Sequence, residues 1–401
     1  MGGFIKTRNF FNSNKSFTLV EILVVIGILS ILFSAVVLVL NPVEYFKRAR
    51  DSKRIADINQ LALLISNYKY KGNRALSLGS ANTLYLSLPS ANQNCSDLNL
   101  PKLPSGWSYR CVSSANLLKI DGTGWIPINL TGSLSSLGTS SLPIDPTNSD
   151  TENLYYFYAT DGVGKFVVGA RNFESFDYKP GGDKEISSSD GGISDYSYEK
   201  GDNLSFYKNE NIVINSSVND LTTPYTPGWD VNLNGTYRPT NGFSYGYNGG
   251  VTNPSVGYHA HATSTGGIKN SGGLEYIDEN CAYGYCHRWL GFAQTFSTPG
   301  ISLGWTNGTK VKVRFMAKVS TTGKPTYFGL YHWSNASGVY TFGTAIVTKS
   351  LSRANRWEEV SQEFTIDSDW ELNSHNVSLY LYGHAGSEGR LWIDSVEVSY
   401  K

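Results

Sequence analysis

Residues Phe17 to Leu40, FTLVEILVVIGILSILFSAVVLVL, form an apolar run of 24 residues interrupted by one charge, Glu21. As an α-helix such a run is about 36 Å long, against a hydrocarbon core of about 30 Å, so it predicts one tilted membrane span. The residues before it include Lys6, Arg8 and Lys15 and no acid, which makes them a short basic leader. A conventional secretory signal has a shorter apolar region followed by a small-residue cleavage site, and neither fits here. A plain signal anchor is the simplest reading of the run, and Glu21 is what it leaves unexplained. Insertion scales put a mid-membrane acid at about 2.5 to 3.5 kcal/mol.

The segment KSFTLVEILVVIGIL, Lys15 to Leu29, resembles the N-terminal signature of type IV pilins and type II secretion pseudopilins. The resemblance implies that a prepilin peptidase cuts between Ser16 and Phe17 on the cytoplasmic side and that Phe17 becomes the methylated first residue. Ser16 stands where the family usually has Gly. The resemblance also gives Glu21 a role: its carboxylate pairs with the α-amino group of Phe17 on a neighbouring subunit, which offsets the cost of burial. The alternative is that Glu21 lies near the helix start and reaches headgroup water, helped by the helix dipole. The implied partners are other pilin or pseudopilin subunits, the prepilin peptidase and the inner-membrane assembly platform. Before assembly the chain would be a single-pass cytoplasmic-membrane protein with its globular part outside the cytoplasm. Afterwards it would belong to a cell-surface or periplasmic filament.

Beyond the span, Ile55, Ile58, Leu61, Ala62, Ile65 and Tyr68 recur at helical spacing and predict a stripe that seats the helix in a globular head. Pro42 should kink or locally melt this long helix. Lys47, Arg48, Arg50, Lys53 and Arg54 outnumber the leader's basic charges, so positive-inside counting alone does not orient the span. That cluster reads as a solvated helix face, with lipid phosphates or acids of a neighbouring subunit as the alternative.

The rest reads as β structure. Tyr (26), Phe (18), Trp (9) and Gly (41) are abundant while Met (2) is scarce, a balance of short strands and turns. Tyr155 to Ala159 and Lys165 to Ala170 are strand-like and flank Thr-Asp-Gly, a hairpin signal. The surrounding LPIDPTN and YYFY motifs resemble the C-terminal sheet of pilin-like heads. Asp145, Asn148, Asp150 and Glu152 could gather as calcium ligands, although local turn bonding is the favoured reading. Residues 179–205 are small, polar and charged, and predict a flexible linker.

From residue 206 onward, KVKVRFMAKV, YFGLYHW, EEVSQEFTI, NVSLYLYG and LWIDSVEVSY alternate as strands between Gly-rich turns. Their order resembles jelly-roll carbohydrate-binding, galactose-binding-like modules. The resemblance implies sugar binding through aromatic faces, with Trp229, Tyr245, Tyr247, Trp289 and Trp333 as candidates and a polysaccharide or glycan as partner. It also raises a structural Ca²⁺ at Asp394, although Asn219 and Asp220 stand where such modules usually supply Glu. No cofactor is otherwise required.

The expected fold is therefore an α+β pilin-like domain, a long N-terminal helix plus a small antiparallel sheet, followed by an all-β jelly-roll sandwich. The expected layout is leader 1–16, transmembrane and assembly helix 17–66, head 67–178, linker 179–205 and module 206–401. Cys95 with Cys111 and Cys281 with Cys286 are close pairs that an exported chain would oxidise to disulfides, the alternative being cross-pairing that joins two different domains. A zinc site from His259, His261, Cys281, Cys286 and His287 is the weaker reading of the second pair.

Lys plus Arg equals Asp plus Glu at 33 each, so no global field recruits nucleic acid. No P-loop, dinucleotide fingerprint, nucleophile elbow or paired catalytic carboxylates can be picked out. The expectation is a minor pilin or pseudopilin that displays a binding module and is not an enzyme. The alternative is a membrane-tethered enzyme, or a plain surface-anchored binding protein, that uses the prepilin export route.

Overall fold

A computed structural model describes residues 18–71, 77–131, 140–192 and 194–204. Further on it describes strands between 230 and 297, then 305–320, 325–333, 343–366, 376–383 and 389–401. The chain divides into two compact units, Met1–Ala49 and Arg50–Lys401.

In the first unit, helix α1 spans Leu19–Leu40, 22 residues. Its start is a capping box. Thr18 Oγ1 accepts the Glu21 N–H at 3.2 Å, and the Glu21 carboxylate accepts the Thr18 N–H at 2.8 Å and its hydroxyl at 2.9 Å. From Leu19 to Phe33 apolar side chains are exposed all round the helix, so it has no core-facing stripe. No helix is long and apolar enough to cross a membrane among the described residues, which for α1 side chains end at Ser34, although the helix backbone runs on to Leu40. The helix stops where Asn41 turns left-handed (φ 40°), and Pro42 opens helix α2, Pro42–Lys71. The break expected at Pro42 is thus made by the pair. Asn41 leaves the helix, and proline, which has no N–H to lose, restarts it at the first helical position.

In the second unit, the head is built on the sheet β2-β1-β3-β4-β5, from Thr83–Pro89 (β1), Ser108–Val112 (β2), Tyr156–Thr160 (β3), Phe166–Ala170 (β4) and Tyr198–Gly201 (β5). Only β1 and β2 are parallel. Every residue of β3 and β4 is buried, because both faces of the sheet are covered. Ile58, Leu61 and Ile65 of α2 pack with Tyr156, Tyr158, Phe166 and Val168 on one side. Leu84, Leu86, Phe157 and Val167 pack with the Cys95–Cys111 disulfide on the other. The hairpin turn falls at Asp161 and Gly162 (φ 75°), where the Asp161 carboxylate accepts the N–H groups of Val163, Gly164 and Lys165.

Residues 179–205 are not the flexible linker that composition predicts. Tyr198–Gly201 is the fifth strand of the head sheet, and Tyr196, Ser197 and Glu199 are buried. Polar side chains order the segment locally. Glu185 accepts from Ser187 and Ser188, and Asp190 accepts the N–H groups of Gly192 and Glu199. Compositional reading counts apolar burial and misses this kind of order. The head therefore runs to about residue 204.

The C-terminal part is an antiparallel two-sheet jelly-roll sandwich, with a short ribbon of β7 (Pro239–Thr240) and β8 (Phe243–Ser244). The six-stranded sheet, β16-β13-β18-β11-β10-β9, uses Glu358–Thr365, Lys310–Val319, Gly389–Tyr400, Gly273–Asp278, Tyr258–Thr263 and Val251–Asn253 in that order. The five-stranded sheet, β15-β14-β17-β12-β6, uses Gly343–Ser350, Pro325–Trp333, Asn376–Gly383, Gly291–Ser297 and Asp230–Asn232. Val311, Val313, Phe315, Ala317 and Val319 alternate along β13 as fully or nearly fully buried residues, the period of a sandwich core.

Candidate functional site

At the N-terminus the capping box engages Glu21 twice: its backbone N–H donates to the Thr18 hydroxyl, and its carboxylate accepts the N–H and the hydroxyl of Thr18. The acid therefore sits where a helix start attracts negative charge. The cleavage junction, Ser16 and Phe17, lies outside the described residues.

The basic cluster of α2 is a solvated face only in part: Arg48 and Lys53 are exposed, Lys47 and Arg50 are half-buried, and Arg54 turns inward. Arg54 is fully buried, its guanidinium donating to the Asp145 carboxylate at 2.7 and 2.8 Å and to Asp51 and Glu174 at 2.7 Å each. Arg50 grips Glu174 with two bonds, at 2.8 and 2.7 Å, and Lys53 pairs with Asp57. Burial raises the Glu174 pKa, but Arg50 and Arg54 outweigh it and bring it down to about 2. Asp51 completes the knot by accepting the N–H groups of Glu174 and Ser175. This network fixes α2 to two loops of the head. In the loop at Asp145 that carboxylate accepts from Arg54 and from the N–H groups of Thr147 and Asn148, while the Asp150 carboxylate accepts the Asn99 N–H.

In the sandwich, the pairing register defines a second candidate surface. Leu379 and Leu381 of β17 are fully buried, so Ser378, Tyr380 and Tyr382 occupy the opposite face of the five-stranded sheet. Direct partners share a face. Tyr382 pairs with Tyr327, Tyr380 with Gly329, Ser378 with Tyr331 and Asn376 with Trp333. Trp333 therefore shares its face with Tyr327, Tyr331, Tyr380 and Tyr382, and Gly291 and Ala293 of β12 lie in the same rows. The four tyrosines were missed in the sequence because alternation marks two faces without saying which is inside. Trp229, Tyr245, Tyr247 and Trp289 lie outside the described residues.

Asp394 is buried in β18, its carboxylate accepting the N–H of Ser395, and the opening strand that would share a calcium with it lies outside the described residues. Register places His261 opposite Glu275 and His259 opposite Ile277, so the two histidines share a face as their spacing implies. Cys281, Cys286 and His287 lie outside the described residues. No group of metal-ligating side chains is assembled among the described residues. A groove of about 1050 Å³ lies beside β2, lined by residues such as Asn92, Gln93, Tyr109, Arg110 and Asn116.

Residues 11–37 match the family model described as the prokaryotic N-terminal methylation motif. The chain carries a prepilin-type N-terminus. That motif contains Ser16, Phe17, Glu21 and the first turns of α1. No curated protein matches the chain. Among solved structures, its sandwich is similar to a Bacteroides thetaiotaomicron protein provisionally described as sugar binding, with 16% identity, a TM-score of 0.33, 48% of this chain and 100% of that one covered. It is also similar to the CBM22-1 xylan-binding domain of Paenibacillus barcinonensis Xyn10C, with 11% identity, a TM-score of 0.29, and coverage of 46% and 91%. The enzymatically active domain of tailspike protein 4 from bacteriophage CBA120 matches at 10% identity and a TM-score of 0.30, with coverage of 48% and 22%. Likeness at this level says nothing of what the prepilin-type chain binds.

Proposed function

We propose that this protein is a minor pilin or pseudopilin: processed between Ser16 and Phe17, it joins a filament through α1 and carries its C-terminal sandwich outward as a binding module rather than a catalyst. The observation that carries the reading is the methylation motif on a helix that is apolar on every side except for Glu21. An unpartnered helix of this kind needs lipid first and like helices afterwards, and Glu21 gives the second environment a charge partner in the neighbouring Phe17 amine. A second head of this size crowds a uniform filament, which favours a minor or terminal position. For the module, the face bearing Tyr327, Tyr331, Trp333, Tyr380 and Tyr382 supports a polysaccharide ligand, since aromatic rings offer flat apolar surface to sugar C–H groups.

The test is N-terminal mass spectrometry of the protein from native membranes and isolated filaments, with and without the cognate prepilin peptidase. A methylated Phe17 start that depends on the peptidase is the expected result. An intact Met1 start, or a cut after Leu40, would sink the proposal.

A further inference from the structure

Along β13 the residues that alternate with the sandwich core, Arg314 and Met316, lie on the sheet face that an isolated sandwich would present to water, yet they are 3% and 2% exposed. Ser395 and Glu397 of β18 are equally hidden, at 2% and 4%. What covers them is the head. Tyr196 forms an apolar cluster with Met316 and Trp357, and the Arg314 guanidinium lies 3.8 Å over the Tyr196 ring. Glu397 takes Arg314 from its own sheet and Arg171, the residue after β4, at 2.7 Å. The Ser395 hydroxyl donates to Asp195 at 2.8 Å, Lys179 pairs with Glu359, and the Lys102 N–H donates to the Tyr400 carbonyl at 2.7 Å.

The backbone is shaped for this contact. Pairing between β13 and β18 shifts register between Arg314 and Met316, and Ser395 sits there with φ 52°, a bulge that turns Ser395 toward Asp195. Across the seam Gly181 (φ 80°) lies against Trp357, where an added Cβ would come within 2.5 Å of the ring. Burial raises the Glu397 pKa, but Arg314 and Arg171 outweigh it and hold the carboxylate well below its usual range. Buried charges matched this closely fix a unique arrangement more than they add stability, while the apolar burial of Tyr196, Met316 and Trp357 favours the docked state.

We infer that the head and the sandwich are one cooperative folding unit, clamped through Arg171, Glu397 and Arg314, so that this part of the six-stranded sheet's outer face is committed to the chain's own head and closed to other partners. The inference stands whether or not the protein assembles into a filament.

The test uses the full-length protein in detergent micelles. Hydrogen-exchange mass spectrometry across a urea series follows peptides from β3 and β4 in the head, residues 194–201 at the seam, and β13 and β18 in the sandwich. The expected result is one shared urea midpoint, with the seam peptide protected up to it. Lys179→Met combined with Glu359→Gln, a mild change at the rim, should lower the midpoints of head and sandwich together. Glu397→Ala should lower both further; if it does not fold, the rim variant still decides. Separate midpoints in the unaltered chain, fast exchange across 194–201 in the absence of urea, or a rim-variant shift confined to one part would each overturn the inference.

Discussion

Arg54 stands in a helix that in sequence shows only a run of basic residues, and in the fold it is a fully enclosed charge of the head. Its partners Asp145 and Glu174 are 91 and 120 positions away, a separation that no local pattern encodes. Arg54→Met leaves buried Asp51 and Asp145 without their guanidinium and Glu174 with Arg50 alone, and the expected loss is about 3 to 5 kcal/mol, the range for breaking a buried ion pair by removing one partner. The urea midpoint of the head would report it. The same network sets an acid dependence. Glu174 has a folded pKa of about 2, below its ordinary value of 4.5. Its contribution is therefore complete above about pH 4.5 and is lost as pH falls through 2, where both folded and unfolded states bind the proton. Stability measured from pH 5 down to pH 2 should fall less steeply in Glu174→Gln than in the unaltered chain. Glu21 is the opposite case. Its oddity was legible at once, because a single acid in an apolar run has no other cause to be there, and its capping bond to Thr18 needs only three residues of sequence.

Elements were legible in proportion to how local their causes are. The β3–β4 hairpin was placed to within a residue, since Asp161 and Gly162 supply the turn chemistry and the flanking residues are β-branched and aromatic. The stripe of α2 was equally plain, and Ile58, Leu61 and Ile65 are all fully buried. The segment from 179 to 204 failed because its order comes from Asp190, Glu185 and serine hydroxyls bonding to nearby groups, in a composition shared with disordered linkers. The Cys95–Cys111 bond was read from export and spacing, and it closes a separation of 16 residues at the edge of the second head core. By loop entropy it should contribute roughly 3 kcal/mol. Thermal unfolding with and without reductant, compared with Cys95→Ser plus Cys111→Ser, should show the head destabilised by reduction to the same extent as by the double substitution.

At the scale of the whole molecule the order of parts was legible in the sequence, and what stayed hidden was their contacts. The five-residue aromatic face of the sandwich came from register, which requires knowing that β14 pairs with β17. If that face takes sugar, Trp333→Ala and Tyr380→Ala should each weaken retention in affinity electrophoresis through polysaccharide gels by about tenfold, the scale of one lost stacking contact, without changing the urea midpoint of β13. Equal retention of both variants would remove this face from consideration.

The seam between head and sandwich also decides how tension would run through the protein. A filament subunit held at one end and snagged at the other is stretched, and a floppy tether would let the far end swing and recoil. Here the route from α2 passes through Arg54 to Glu174, along three residues to Arg171, and across to Glu397 in the last strand. Two guanidinium–carboxylate knots thus lie along the route from the Arg50–Lys71 part of α2 to the last strand. Strain on the sandwich would load the head through Arg171 and Glu397, and because the two parts share one folding unit, the seam should give way together with them rather than open as a hinge.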